Sequence, residues 1–210
     1  MHNPKKIKNI IFDLGGVLLD IQPQNTVNRF RELSPEIKDA ALHEFFTIEP
    51  AFIAYEIGKI STKEFIVQLK KNLLKNARED EIIEAWNRTI IDIQPDKIKL
   101  LHRLKTRYNL YVLSNTNGLH KTLFYNILHD KYNLKGFSGI IKKEYYSHEI
   151  GSRKPDHQIY QHVIDDSRIR PEESLFIDDS HINIENAKKV GILTHHHQKN
   201  DKLLDFFNNI

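Results

Sequence analysis

Residues 7–16 read IKNIIFDLGG, a short isoleucine-rich run that stops at Asp13 and a double glycine. A buried strand that delivers a loop at its carboxyl end fits this pattern. The same arrangement recurs further along. Residues 110–116 (LYVLSNT) and 174–180 (SLFIDDS) are apolar runs closed by small polar or acidic residues. Helical periods separate these runs. PDKIKLLHRLKTR at 95–107 precedes the second run, and a helix is expected over about 119–128. A weaker strand is expected near 139–141, then a helix over 155–164 with Pro155 in its first turn. The third run is followed by an expected helix over 183–190, a strand over 192–194 and a terminal amphipathic helix in DKLLDFFNNI. Strands alternating with helices argue for an α/β fold with a parallel sheet covered on both faces.

Between the first strand and Pro95 the rhythm is different. Residues 23–89 show helical periods and no convincing strand. PEIKDAALHEFF places Ile37, Ala41 and Phe45 on one helix face. Ser61 and Glu64 have the spacing of a capping box at the start of FIVQLKKNLL, and Trp86 reads as core. The expected organisation is a core domain of residues 1–19 and 94–210, with residues 20–93 inserted as an all-helical cap above the strand ends.

Composition narrows the function classes. The 210 residues are 40% hydrophobic, which supports a substantial core and excludes wholesale disorder. The absence of cysteine removes disulfides, thiolate zinc sites and cysteine nucleophiles. Thirty-one basic and 28 acidic residues leave a net charge of +3, mixed along the chain. The one basic cluster, Lys5, Lys6 and Lys8, reads as a solvated strand start and not as a nucleic-acid patch. No apolar run is long enough to span a bilayer, and the start MHNPKKIKNIIFDLGG does not read as a secretory signal. The expectation is a cytoplasmic monomer with neither a nucleic-acid nor a membrane partner.

In an open parallel sheet, ligands bind outside the carboxyl ends of the strands. The polar residues there are Asp13, Gly15 and Gly16 after the first strand, Ser114, Asn115 and Thr116 after the second run, and Asp178, Asp179 and Ser180 after the third. Residues 151–155 (GSRKP) add a cation, Lys154, at a helix start. Taken singly, each is as readily a turn residue or a helix cap. Together they supply three carboxylates, a hydroxyl, backbone N–H groups and an ammonium. Such a set suits a hard divalent cation and a phosphate, because the cation reconciles carboxylates with a phosphoryl dianion.

In that order the segments FDLGGV, VLSNTN, SRKPD and FIDDSHINIENA resemble the four motifs of the haloacid dehalogenase superfamily. The resemblance spans the full length and implies a Rossmann-like core with an inserted helical cap. More narrowly, FDLGGVLLDI, YEIGKISTKEF and RKPDHQIYQHV are similar to bacterial α-D-glucose-1-phosphate phosphatases and their relatives. The resemblance implies Mg²⁺-dependent hydrolysis of a small phosphorylated metabolite, a sugar phosphate, through an aspartyl-phosphate. Asp13 would be the nucleophile. Asp13, the Gly15 carbonyl and Asp179 would hold Mg²⁺, with Asp178 as an outer partner. Ser114, the Asn115 amide and Lys154 would bind the phosphate.

One position departs from the family pattern. Many family phosphatases carry a second Asp two residues after the nucleophile as general acid and base, and Gly15 stands there. This favours good leaving groups, such as anomeric or acyl phosphates, over primary-alcohol phosphates. Asp20 is a weak substitute, since it is expected to begin the cap linker. Two rival functions stay open: a metal-free 2-haloacid dehalogenase, disfavoured by Asp178 and Asp179, and a catalytically silent binding module, suggested by Gly15. The loop Tyr55–Gly58 either reaches the site from the cap or is a plain turn. The run His195–His197 cannot bind one ion with all three rings, because strand neighbours face opposite ways. It reads as an exposed strand end.

Overall fold

The computed structural model describes residues 7–37, 50–198 and 201–208. Seven strands are present among them: β1 (Asn9–Phe12), β2 (Asp20–Ile21), β3 (Ile90–Asp92), β4 (Asn109–Ser114), β5 (Lys143–Tyr146), β6 (Ser174–Asp178) and β7 (Leu193–His196). Five of them form one parallel sheet in the order β5-β4-β1-β6-β7, while β2 and β3 pair antiparallel. The central place of β1 explains its composition. Ile10, Ile11 and Phe12 have no exposed surface at all, as a strand with both faces covered requires.

Strand alternation sends those side chains into two separate clusters. Ile10 and Phe12 join Leu110, Val112, Leu175 and Ile177 beneath the helices Pro95–Leu104, Gly118–Tyr132 and Leu203–Asn208. On the opposite face, Ile11, Tyr111, Leu113 and Phe176 pack against the helices His157–Ser167 and His181–Lys189. Register then aligns the strand ends. Phe12 lies opposite both Val112 and Ile177, so Asp13 emerges beside the ends of β4 and β6. The Asp13 amide still donates to the Ile177 carbonyl at 2.9 Å, which holds the start of the loop to the sheet.

The helices Pro23–Leu33, Pro50–Glu56, Thr62–Asn72 and Glu79–Asn87 surround a third cluster of their own. Phe65 is its centre, stacked on Tyr55 at 4.2 Å and edge-on to Trp86 at 4.8 Å. Trp86 is thus a core residue, as its sequence context suggests. The β2–β3 pair, which the sequence pattern did not reveal, ties the two ends of this helical segment together. Ser61 accepts from the Glu64 amide at 3.3 Å and the Glu64 carboxylate accepts from the Ser61 amide at 2.7 Å, forming the expected capping box.

Three local expectations change. The fifth strand lies at Lys143–Tyr146 and not at 139–141. Gly139 has φ +76°, which no strand uses, and the buried Ile140 and Ile141 fill the core from a turn. Pro155 precedes the next helix by two residues, because Asp156 is extended at ψ 136° and caps a helix that begins at His157. The histidine run is not an exposed strand end, since His197 is only 6% exposed. Lys5, Lys6 and the greater part of the helix expected over 35–46 lie outside the described residues. Among the described residues, no helix is long and apolar enough to cross a membrane.

Replacing an N-cap serine by alanine typically costs about 0.5–2 kcal/mol. Ser61→Ala is therefore expected to lower the unfolding free energy by that order, read as a lower urea midpoint with an unchanged m value. An unchanged midpoint would show that the capping box adds nothing to stability.

Candidate active site

The carboxyl edge of the sheet converges on one ammonium group. Lys154 Nζ lies 2.9 Å from Asp13 Oδ1 and 2.7 Å from Asp178 Oδ2, with the lysine side chain 1% exposed. Two neighbours fix it there. The Asn115 side chain accepts from the Lys154 amide at 2.8 Å and donates to its carbonyl at 2.9 Å. Asp178, itself fully buried, accepts from the Ser180 amide at 2.8 Å and from the Asn183 side chain at 3.0 and 3.1 Å. Asp178 is thus fully engaged as an anchor. Asp179, the next residue, is more open, and its carboxylate comes within 4.8 Å of those of Asp13 and Asp178.

The double glycine passes close to this group. Gly16 has φ +74°, and a Cβ there would sit 2.3 Å from Asp179 Oδ2, so only glycine fits. A Cβ at Gly15 would meet only the end of the Ile21 side chain, at 3.1 Å. The Leu14 amide donates to Asp13 Oδ1 at 2.7 Å and helps aim the carboxylate. Ser114 is buried at the end of β4, where it lines a cavity of about 140 Å³ together with Gly15, Asn115 and His120.

The electrostatics follow from crowding and burial. Burial pushes the Asp13 carboxyl up, Lys154 pulls it back, and Asp178 and Asp179 add to the rise, leaving it at about 7. Asp179 is also raised, by burial and then by Asp178. Burial works against the Lys154 ammonium, but Asp13 and Asp178 outweigh it and hold its pKa above the usual lysine value. The cluster thus carries more negative charge than its single ammonium balances. An oxygen-rich site with surplus negative charge fits a hard divalent cation.

Asp20 has a different role. Burial would raise its carboxyl, but hydrogen bonds from Lys97 at 2.6 Å and Gln94 at 2.9 Å hold it below the usual carboxylate value. It is ionised and committed to those partners, so it cannot replace the acid missing at Gly15.

Several residues at the helical segment's border are invisible to motif reading. Glu56, the last residue of the helix Pro50–Glu56 and part of the segment Tyr55–Gly58, pairs with Arg153 at 2.9 Å, directly beside Lys154. Its backbone carbonyl accepts from Ser147 Oγ at 2.6 Å, so this segment does reach the site's edge. His120 stacks on Trp86 at 5.2 Å, and its Nε2 lies 3.1 Å from the Trp86 carbonyl. A carbonyl can only accept, so Nε2 carries the proton. Burial lowers this imidazole to about 4, and it stays neutral. Thr26, Phe52, Glu56 and Trp86 from the helical segment enclose, with Asn115 and His120, a cavity of about 210 Å³. Of these residues only Glu56 was anticipated, as part of the segment Tyr55–Gly58 that the sequence offers as reaching the site.

Comparison with known proteins agrees with this geometry. A model of haloacid dehalogenase-like hydrolases matches residues 7–191. The chain belongs to that family and is a hydrolase. It is 31% identical over 190 residues to a D-ribitol-5-phosphate phosphatase of Bacteroides thetaiotaomicron, covering 90% of each chain. It is 28% identical over 193 residues to a sesquiterpene phosphatase of Aspergillus oryzae, covering 90% of this chain and 89% of that one. A crystal structure of a family enzyme from Bacteroides thetaiotaomicron, in complex with magnesium and inorganic phosphate, superposes with a TM-score of 0.84 at 30% identity, over 96% of this chain and 99% of that one.

A cation that needs these carboxylates ionised must displace a proton from Asp13 below about pH 7. Mg²⁺ affinity measured by calorimetry is expected to fall about tenfold per pH unit below that value and to level off above it. A flat profile across this range would take Asp13 out of the cation's ligand set.

Proposed function

We propose that this haloacid dehalogenase-like hydrolase is a Mg²⁺-dependent phosphatase for a small phosphorylated sugar or sugar alcohol. The observation that carries the reading is the convergence of Asp13, Asp178 and Asp179 around the buried Lys154 ammonium. In this reading residues 20–93 act as a cap over a core of residues 1–19 and 94–210. The cavity between Trp86, Glu56 and Asn115 would take the organic part of the substrate.

Each residue's role follows from its position. An Asp13 carboxylate oxygen attacks phosphorus and the bond to the ester oxygen breaks; the alkoxide leaves with that electron pair and takes its proton from solvent. Water then attacks the phosphorus of the aspartyl-phosphate, releasing inorganic phosphate and restoring Asp13. Lys154 holds Asp13 in one orientation and offsets charge on the transferred group. Ser114 Oγ and the Asn115 amide bind phosphoryl oxygens. Asp13, Asp179 and the Gly15 carbonyl would hold Mg²⁺, with Asp178 one layer out behind Lys154. When bound, the ion supplies the positive charge that lets a phosphoryl dianion approach a carboxylate.

The glucose 1-phosphate specificity suggested by the motifs becomes one candidate among several. One of the two relatives is named for ribitol 5-phosphate, a primary-alcohol phosphate. In this chain Gly15 leaves the departing oxygen without a proton donor, and Asp20 is bound to Lys97. Substrates whose alcohol leaves readily are therefore favoured.

The test is phosphate release over a panel of phosphorylated sugars and sugar alcohols, with Mg²⁺ and with EDTA. Release that requires Mg²⁺ and is abolished by Asp13→Asn is expected; equal release in EDTA would refute the reading. A positioned general acid is worth about 10²–10⁴-fold. Gly15→Asp should therefore raise the rate on a primary-alcohol phosphate relative to p-nitrophenyl phosphate, once Ile21 yields a few tenths of an ångström. An unchanged ratio in the folded variant would mean that protonation of the leaving oxygen is not limiting.

A further inference from the structure

The histidine run 195–197 has no part in the reaction above. The period of β7 puts His195 and His197 on one side and His196 on the other. There His196 Nε2 lies 2.9 Å from the Asp179 carbonyl. On the shared side, ligand atoms of His195, His197 and Asp201 all come within 4.8 Å of one another. His197 is 6% exposed, and its Nδ1 is buried with no hydrogen-bond partner. A buried ring nitrogen left unmet is costly, and a metal ion is one group that satisfies it. The nearby Lys97 could donate to such a nitrogen, but its ammonium is held by Asp20 at 2.6 Å and makes no hydrogen bond to Nδ1.

We propose that His195, His197 and Asp201 form a binding site for Zn²⁺, separate from the carboxylate cluster around Lys154. Two imidazoles and one carboxylate are donors that zinc accepts readily, whereas Mg²⁺ prefers oxygen alone. Tetrahedral zinc with bonds of about 2.0–2.2 Å needs donors roughly 3.4 Å apart, and the ligand atoms here, all within 4.8 Å of one another, would settle to that spacing on binding. The surroundings permit this. Asp201 is exposed and anchored through Oδ2 to the Gln198 amide at 2.9 Å. His195 stacks flat on Phe206 at 3.8 Å, which steadies its ring. His197 and Asp201 also border a groove through which water could reach the ion.

Such an ion would pin the chain after β7 to the sheet edge and thereby seat the helix Leu203–Asn208, whose Phe207 packs on Phe12 at 6.0 Å. It would also brace the active-site strand, since the His197 amide donates to the Asp178 carbonyl at 2.9 Å.

The experiment uses the full chain without an affinity tag, in millimolar Mg²⁺ so that the oxygen site is filled. Equilibrium dialysis against ZnCl₂ gives bound zinc, and thermal unfolding gives the shift in Tm. One zinc per chain is expected, with a rise in Tm. His195→Gln and Asp201→Asn should each weaken binding at least tenfold and remove the Tm rise. His196→Gln, on the other side of the strand, should keep both. These sites are partly or fully exposed, so their variants avoid the risk that the buried His197→Gln fails to fold. No zinc retained by the parent chain would overturn the proposal. Wild-type affinity in either His195→Gln or Asp201→Asn, or zinc competed away by Mg²⁺, would do the same.

Discussion

The ion triad of Lys154 with Asp13 and Asp178 is the interaction on which the rest of the site depends. An ammonium and two carboxylates are held almost completely out of water, with contacts of 2.9 and 2.7 Å. Desolvating such groups costs several kcal/mol each, and only close pairing with further hydrogen bonds offsets it. The surrounding structure supplies that pairing. Strand β1 delivers Asp13, β6 delivers Asp178, and the Asn115 side chain after β4 grips the backbone of Lys154 on both sides. Removing the ammonium would leave two buried carboxylates facing each other.

The same triad explains why the site suits a cation and a phosphate together. With all three carboxylates ionised, the cluster would carry two more negative charges than its ammonium balances. Burial first, and then this crowding of like charge, raises the pKa values of Asp13 and Asp179, and the same negative charge would repel a phosphoryl dianion. In the proposed reading a divalent ion would cancel it, leaving Lys154 and the amides at the strand ends to meet the incoming phosphate. Gly16 belongs to this economy of space, because its missing side chain lets the loop lie against Asp179.

How much of this was legible in the sequence depends on the range of the contacts involved. Asp13, Ser114, Asp178 and Asp179 were readable because each closes an apolar run, and strand ends in a parallel sheet share one edge. Lys154 was readable only through its place in a motif. The strand at Lys143–Tyr146 was misplaced because Ile140 and Ile141 look like a strand while being buried in a turn beside Gly139. The Asn115 clamp, the Glu56–Arg153 pair and the His120–Trp86 contact join residues 34 or more positions apart, and no local pattern encodes them. The histidine run shows both sides of this. Strand period correctly separates His196 from its neighbours, but the approach of Asp201 to the remaining pair appears only in three dimensions.

The most direct measurement is to trap the covalent intermediate. The protein is mixed with Mg²⁺ and a phosphorylated substrate that it hydrolyses, quenched in acid during turnover, and digested for mass spectrometry. A phosphoryl adduct on the peptide containing Asp13 is expected, lost in Asp13→Asn and absent without Mg²⁺. Rapid turnover with no adduct on that peptide, or with an adduct elsewhere, would contradict nucleophilic attack by Asp13.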